Sequence, residues 1–199
     1  NHSTLPIHYG RPWSPYFVFI RRTDLSDVDL LCRLDKQRFV DLSCVDVFRD
    51  YIAIGRDSNW THLADFWRYT NWYSKHFREC IRDLASESDV FSFSVGECDM
   101  SIDFELYQNG ELTRRLVWED HNFDGGSLKE QGGAPLEGES LIPMGSDPLA
   151  ALWNLAANLG IETDYSRVNP KLYAAPKPTV RPAKRTTHWL RSRFRWRRA

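Results

Sequence analysis

Between Met100 and Tyr107 apolar and polar residues alternate one for one, Met100, Ile102, Phe104 and Leu106 against Ser101, Asp103, Glu105 and Tyr107. A period of two puts each set on its own face of an extended strand, whereas a helix would scatter the apolar residues round its circumference. Asn109-Gly110 follows at once, and this pair suits a type I′ hairpin turn because both central positions need a positive φ. Residues 112–118 return as a further strand, and residues 90–95 precede across the turn Gly96-Glu97-Cys98-Asp99. The middle of the chain therefore predicts an antiparallel meander with one apolar face, and helices elsewhere are its expected cover.

The flanks supply both kinds of element. Tyr16-Phe17-Val18-Phe19-Ile20 reads as a short buried strand, and Thr23 or Asp24 offers a cap for a helix with Leu25, Val28, Leu31 and Cys32 on one face. Residues 38–42 and 45–54 alternate in part and predict one or two strands, closed by a turn at 55–58. Within 59–86, Trp60, Leu63, Ala64 and Trp67 recur at helical spacing, as do Phe77, Cys80, Ile81 and Leu84. Two helical pieces are expected there, with a break at Thr70-Asn71. The same segment adds Phe66, Tyr69, Trp72 and Tyr73, more rings than one buried stripe accommodates, so part of the set is expected at a groove or interface.

Residues 119–145 are rich in glycine and proline and predict a long loop, interrupted by a short strand around 127–130. Asp147-Pro148 then supplies a cap followed by proline at the first helical position. Leu149, Leu152, Trp153, Leu155 and Leu159 form the apolar side, and Gly160 closes the helix. Residues 169–185, punctuated by Pro170, Pro176, Pro178 and Pro182, read as an extended linker. The expected fold is α+β: an antiparallel sheet of about five to seven strands covered by helices on one side. It is expected to form one domain over residues 1–168, followed by a linker and a basic aromatic tail over 169–199.

Charge divides at the same place. Residues 177–199 hold nine of the 26 Lys and Arg and no acidic residue, which leaves 17 against all 27 Asp and Glu, a net charge of −10, on residues 1–176. An acidic body repels nucleic acid and steers basic proteins toward itself. The tail has the opposite preference: Arg191, Arg193, Phe194, Arg195, Trp196, Arg197 and Arg198 interleave guanidinium groups with rings, a composition suited to single-stranded nucleic acid or an anionic surface. No apolar run approaches the roughly 18 residues a membrane span needs, and residues 1–10 lack the basic-then-apolar pattern of a secretory signal. Cys32, Cys44, Cys80 and Cys98 form no CxxC pair and are expected as reduced, mostly buried thiols of a cytoplasmic protein.

No HExxH, GxSxG, GxxxxGK[ST] or GxGxxG motif is present, so no cofactor and no metal is expected. The acidic candidates for chemistry are Asp99, Asp103 and Glu105 round one hairpin, and Glu119, Asp120, His121 and Asp124 where the last meander strand ends. Carboxylates two apart on a strand share a face and suit an acid–base pair or a divalent cation, although Asp103 and Glu105 occupy the polar side of their strand, where solvated surface charge is the ordinary expectation. His62 with Asp65 and His76 with Glu79 have the i, i+3 spacing of helical ligand pairs, short of the three or four ligands a metal needs.

The runs Trp60-Thr61-His62-Leu63-Ala64-Asp65-Phe66-Trp67, Val90-Phe91-Ser92-Phe93-Ser94-Val95-Gly96-Glu97-Cys98-Asp99, Tyr107-Gln108-Asn109-Gly110-Glu111-Leu112 and Trp118-Glu119-Asp120 resemble a family of small bacterial proteins of unassigned activity, over roughly residues 57–160. In general plan, an acidic α+β domain without a catalytic signature, the chain is similar to the immunity proteins of bacterial toxin systems. The resemblance implies a protein-binding inhibitor that occludes a basic toxin such as a nuclease. Its expected contacts, from charge and aromatic content, are Trp67, Tyr69, Trp72, Glu119, Asp120 and Asp124. Two alternatives stand beside it: a nucleic-acid-associated adaptor acting through the arginine tail, and a metal-dependent hydrolase built on the acidic clusters.

Overall fold

In the computed structural model, residues 7–8, 11–12, 16–34, 40–41, 51–66, 75–96, 101–119, 126–142 and 147–174 are described. Strands β1 (Ile7–His8) and β2 (Arg11–Pro12) form a small ribbon. The others are β3 (Tyr16–Ile20), β4 (Val40–Asp41), β5 (Tyr51–Arg56), β6 (Thr61–Phe66), β7 (Val90–Val95), β8 (Ile102–Gln108), β9 (Glu111–Glu119), β10 (Ser127–Gly133) and β11 (Lys171–Ala174). These make one nine-stranded sheet in the order β10-β9-β8-β7-β3-β6-β5-β11-β4, every pair antiparallel. Helices α1 (Asp27–Leu34), α2 (Lys75–Glu87), α3 (Pro148–Asn158) and the short α4 (Tyr165–Val168) complete the described fold.

The sheet is larger than expected and is covered on both faces. One face presents Phe17, Phe19, Phe91, Phe93, Phe104 and Leu116 to Leu152, Trp153, Leu155 and Ala156 of α3. The other presents Val18, Ile20, Ile52, Ile54, Leu63 and Val90 to Leu30 and Leu31 of α1 and Phe77, Cys80, Ile81 and Leu84 of α2. The unbroken apolar run of β3 is the local sign of this arrangement, since a strand covered on both sides has no polar face to alternate with.

Two-sided burial also corrects the first helical piece of residues 59–86. Thr61–Phe66 is a strand between β3 and β5, and Leu63 and Ala64 point to opposite cores; their adjacency imitates a helical stripe. Two of its buried polar residues find partners outside the strand: Thr61 Oγ1 donates to the Arg22 carbonyl at 2.5 Å, and His62 pairs with Asp57. Gly55 and Arg56, the first two residues of the predicted 55–58 turn, lie within β5 instead. The second piece is a helix, α2, as its spacing requires.

Helix α1 starts later than predicted. Ser26 Oγ, rather than Thr23 or Asp24, accepts the Asp29 N–H at 3.1 Å, while Asp24 receives the Arg22 guanidinium. The buried face then falls on Leu30 and Leu31, and Val28 is left 66% exposed. Helix α3 agrees with its signals throughout: Asp147 Oδ1 accepts from Ala150 N at 2.9 Å, Pro148 occupies the first turn, and Gly160 follows with φ 79°. The strand expected near 127–130 is β10 at the sheet edge. The first residues of the expected linker belong to the sheet instead, because Lys171–Ala174 pairs with β5 on one side and β4 on the other. Cys32 is exposed, and Cys80 is buried with its Sγ donating to the Arg33 carbonyl at 2.6 Å; Cys44 and Cys98 lie outside the described residues.

Candidate functional site

Strand register assembles a row of polar side chains on the α1/α2 face. Asp65 of β6 stands opposite Tyr16 of β3, Tyr16 opposite Ser94 of β7, Ser94 opposite Asp103 of β8, and Asp103 opposite Val117 of β9. Directly opposed residues of antiparallel strands share a face, with Cβ atoms about 4.5–5.5 Å apart. Asp65 is 1% and Ser94 6% exposed. One row inward, Glu105 is buried, which corrects the expectation of solvated surface charge: Arg115 donates to it at 2.7 Å, Arg78 of α2 at 3.4 Å and the Tyr107 hydroxyl at 3.2 Å.

Asp103 differs from Glu105 in having no such donors among the described residues. Burial pushes its carboxyl up to about 6, repulsion from Glu105 adds to the effect, and Arg115 and Arg78 oppose it. The site thus holds a saturated carboxylate beside a carboxyl that exchanges its proton in the mildly acidic range, a combination fit for proton transfer or for receiving a cation.

The linkage has a definite sign. A carboxyl whose folded pKa lies above its unfolded value stabilises the fold while protonated, and that contribution disappears as pH rises from about 4 through about 6. Asp103→Asn should therefore stabilise the protein by about 1–2 kcal/mol at pH 8, after discounting for partial exposure, and by much less at pH 4. Urea denaturation at both pH values in 0.5 M salt measures this; an equal effect at the two would refute it.

A second buried pair ties the other side of the sheet. Asp57 follows β5, and its Oδ1 accepts the N–H groups of Asn59 and Trp60, both at 2.7 Å. Its Oδ2 accepts Glu162 N at 3.0 Å and His62 Nε2 at 2.8 Å. Burial alone would raise this carboxyl; the donors from His62, Glu162, Asn59 and Trp60 outweigh it and hold Asp57 well below the usual carboxylate range. An ionised carboxylate only accepts, so His62 donates from Nε2. The imidazole is 1% exposed, packed edge-on to Phe19 and Tyr165, and its Nδ1 has no hydrogen-bond partner among the described residues. A buried nitrogen of this kind cannot serve a surface nucleophile, so the pair is a clamp between the β5–β6 turn and the segment after α3. The cleft of about 680 Å³ beside it contains Arg56 and Arg167, both engaged: Arg56 with Asp27 at 2.5 Å, Arg167 with Glu162 at 3.3 Å.

The expected site residues divide as follows. Glu119 closes β9 and lies 3.8 Å from Lys129. Trp67, Tyr69, Trp72, Asp120 and Asp124 lie outside the described residues, as do Asp99, His121 and the tail positions Arg191, Arg193, Phe194, Arg195, Trp196, Arg197 and Arg198. His62 and Asp65 are not a ligand pair, because residues three apart on a strand point to opposite faces. Glu79 pairs with Lys75 on α2 at 3.7 Å. Among the described residues no group of three or more His, Cys, Asp or Glu could hold a metal, and no described helix is long and apolar enough to cross a membrane. Tyr16, Asp65 and Ser94 joined Asp103 without a motif to announce them; the only available signal was the register of the hairpin, which places Ser92 and Ser94 opposite Glu105 and Asp103.

Fold and site together define an antiparallel nine-stranded sheet layered between helices, with one polar row near the ends of its central strands. No family model, no curated protein and no solved structure matches the chain.

Proposed function

We propose that this chain is a protein-binding module of the immunity or antitoxin type, a cytoplasmic inhibitor whose acidic body occludes a basic partner such as a nuclease toxin. The observation that carries the reading is the net charge of −10 on residues 1–176, which steers a cationic partner by long-range attraction. The contacts proposed for it are the aromatic set Trp67, Tyr69 and Trp72 and the acidic set Glu119, Asp120 and Asp124, the ring anchors and carboxylates from which such an interface is made.

Affinity capture from the native host with the full chain tests this. A basic protein should be retained, and its affinity should fall about tenfold or more between 50 and 500 mM salt, as a steered, charge-matched complex requires. A full chain with Arg191, Arg193, Arg195, Arg197 and Arg198 changed to alanine should retain it as well. Nucleic acid held by the unaltered chain and lost from that variant would transfer the function to the tail, whose interleaved arginines and rings favour that second reading.

A further inference from the structure

The row containing Asp103 runs unbroken from Tyr173 of β11 through Ile52, Asp65, Tyr16 and Ser94. The last described strand therefore ends at Ala174 on the same edge of the sheet. Helices α1 and α2 pack on this face as far as Tyr107 of β8. Beyond it, Thr113, Arg115, Val117 and Glu119 of β9 are partly exposed, Val117 belongs to neither core, and every residue of β10 is exposed. Asp103 sits at the margin of this sheet face, and among the described residues no hydrogen-bond donor reaches it.

We propose that the arginine-rich segment of residues 188–199 of this same chain docks on the β8–β9 face and sets a guanidinium against the Asp103 carboxylate. Charge favours it: residues 177–199 carry nine positive groups and no negative one, against a body of net charge −10. Reach permits it. Tyr173 and Asp103 are five strand spacings apart, about 24 Å, whereas residues 175–187, extended at about 3.3 Å each, span roughly 40 Å. Pro176, Pro178 and Pro182 favour that extended form. Trp189, Phe194 and Trp196, interleaved with the arginines, bring apolar area to the side of the sheet where Val117 is left partly exposed. A tethered segment acts at an effective concentration on the order of millimolar, enough to occupy the face until a stronger cationic surface displaces it. The inference is independent of whether the partner is a toxin.

Trypsin digestion of the full chain, followed by mass spectrometry, reads it directly. Cleavage after Arg191, Arg193, Arg195 and Arg197 should be about tenfold slower at 50 mM than at 500 mM salt once corrected for a free peptide of residues 188–199. Asp103→Asn should abolish most of that protection without unfolding the body. In a second measurement, changing Arg191, Arg193, Arg195, Arg197 and Arg198 to serine should shift the amide NMR signals of Ser94, Asp103 and Val117. Tail cleavage indifferent to Asp103, unshifted signals, or protection that grows with protein concentration and so comes from a second copy would each overturn the proposal.

Discussion

Glu139→Ala is expected to destabilise the protein by about 3–5 kcal/mol, because it leaves the Arg114 guanidinium charged and buried without its carboxylate. Arg114 is 1% and Glu139 5% exposed. The pair is bidentate, with Nε to Oε2 at 2.8 Å and a second bond from Nη2 to Oε1. Backbone groups add to the pair: Arg114 Nη1 donates to the carbonyls of Gly132 and Gly133 at 2.8 and 2.9 Å, and Leu136 N donates to Glu139 Oε2 at 2.8 Å. Gly133 has φ 77°, and a Cβ there would lie 1.8 Å from the Thr113 carbonyl oxygen, so the chain passes only as glycine. The network fastens β10 and the 3₁₀ turn Glu139–Leu141 to β9. Replacing both partners, as in Arg114→Met with Glu139→Leu, should cost much less than the two single changes together. Urea denaturation of the three variants checks this; additive losses would mean that the two side chains act separately.

Trp153→Ala should cost a similar amount, about 3–5 kcal/mol. The indole is fully buried at the centre of the α3 face, with ring centroids 4.9 Å from Phe17, 5.4 Å from Phe93, 5.7 Å from Phe19 and 5.8 Å from Tyr165. Its ring meets β3, β7 and α4 at once, so its loss opens a cavity that rings on three sides cannot refill. The matching measurement is the denaturation midpoint at unchanged m-value; a loss under 1 kcal/mol would show that this face repacks. Trp153→Phe keeps most of the volume and should cost well under half as much.

The meander and α3 were legible because each rests on local rules: a period of two and an Asn-Gly turn in one case, an Asp-Pro start and a glycine stop in the other. The strand Thr61–Phe66 was not legible, because its polar residues are buried through partners elsewhere in the chain, Arg22 and Asp57 among them. Of the candidate site, Asp103 and Glu105 could be named from their alternation, but their opposite circumstances could not. Arg78 and Arg115, which saturate Glu105, come from another helix and another strand.

The two adjacent arginines of β9 show where local rules stop. An Asn-Gly turn with Gln108 opposite Glu111 would by itself set Glu105 opposite Arg114. A register shift at Leu106/Tyr107 sets it opposite Arg115 instead. One residue of slip exchanges faces, sending Arg115 to Glu105 and Arg114 into the opposite layer with Glu139, 25 positions along the chain. The sequence alone determined the meander with its Asn-Gly turn, where α3 begins and ends, and how charge divides between body and tail, since these depend on near neighbours and composition. Only the tertiary structure decided that the sheet is covered twice, that β11 enters it, and which of two arginines is buried, because burial and register depend on contacts between residues far apart in the chain.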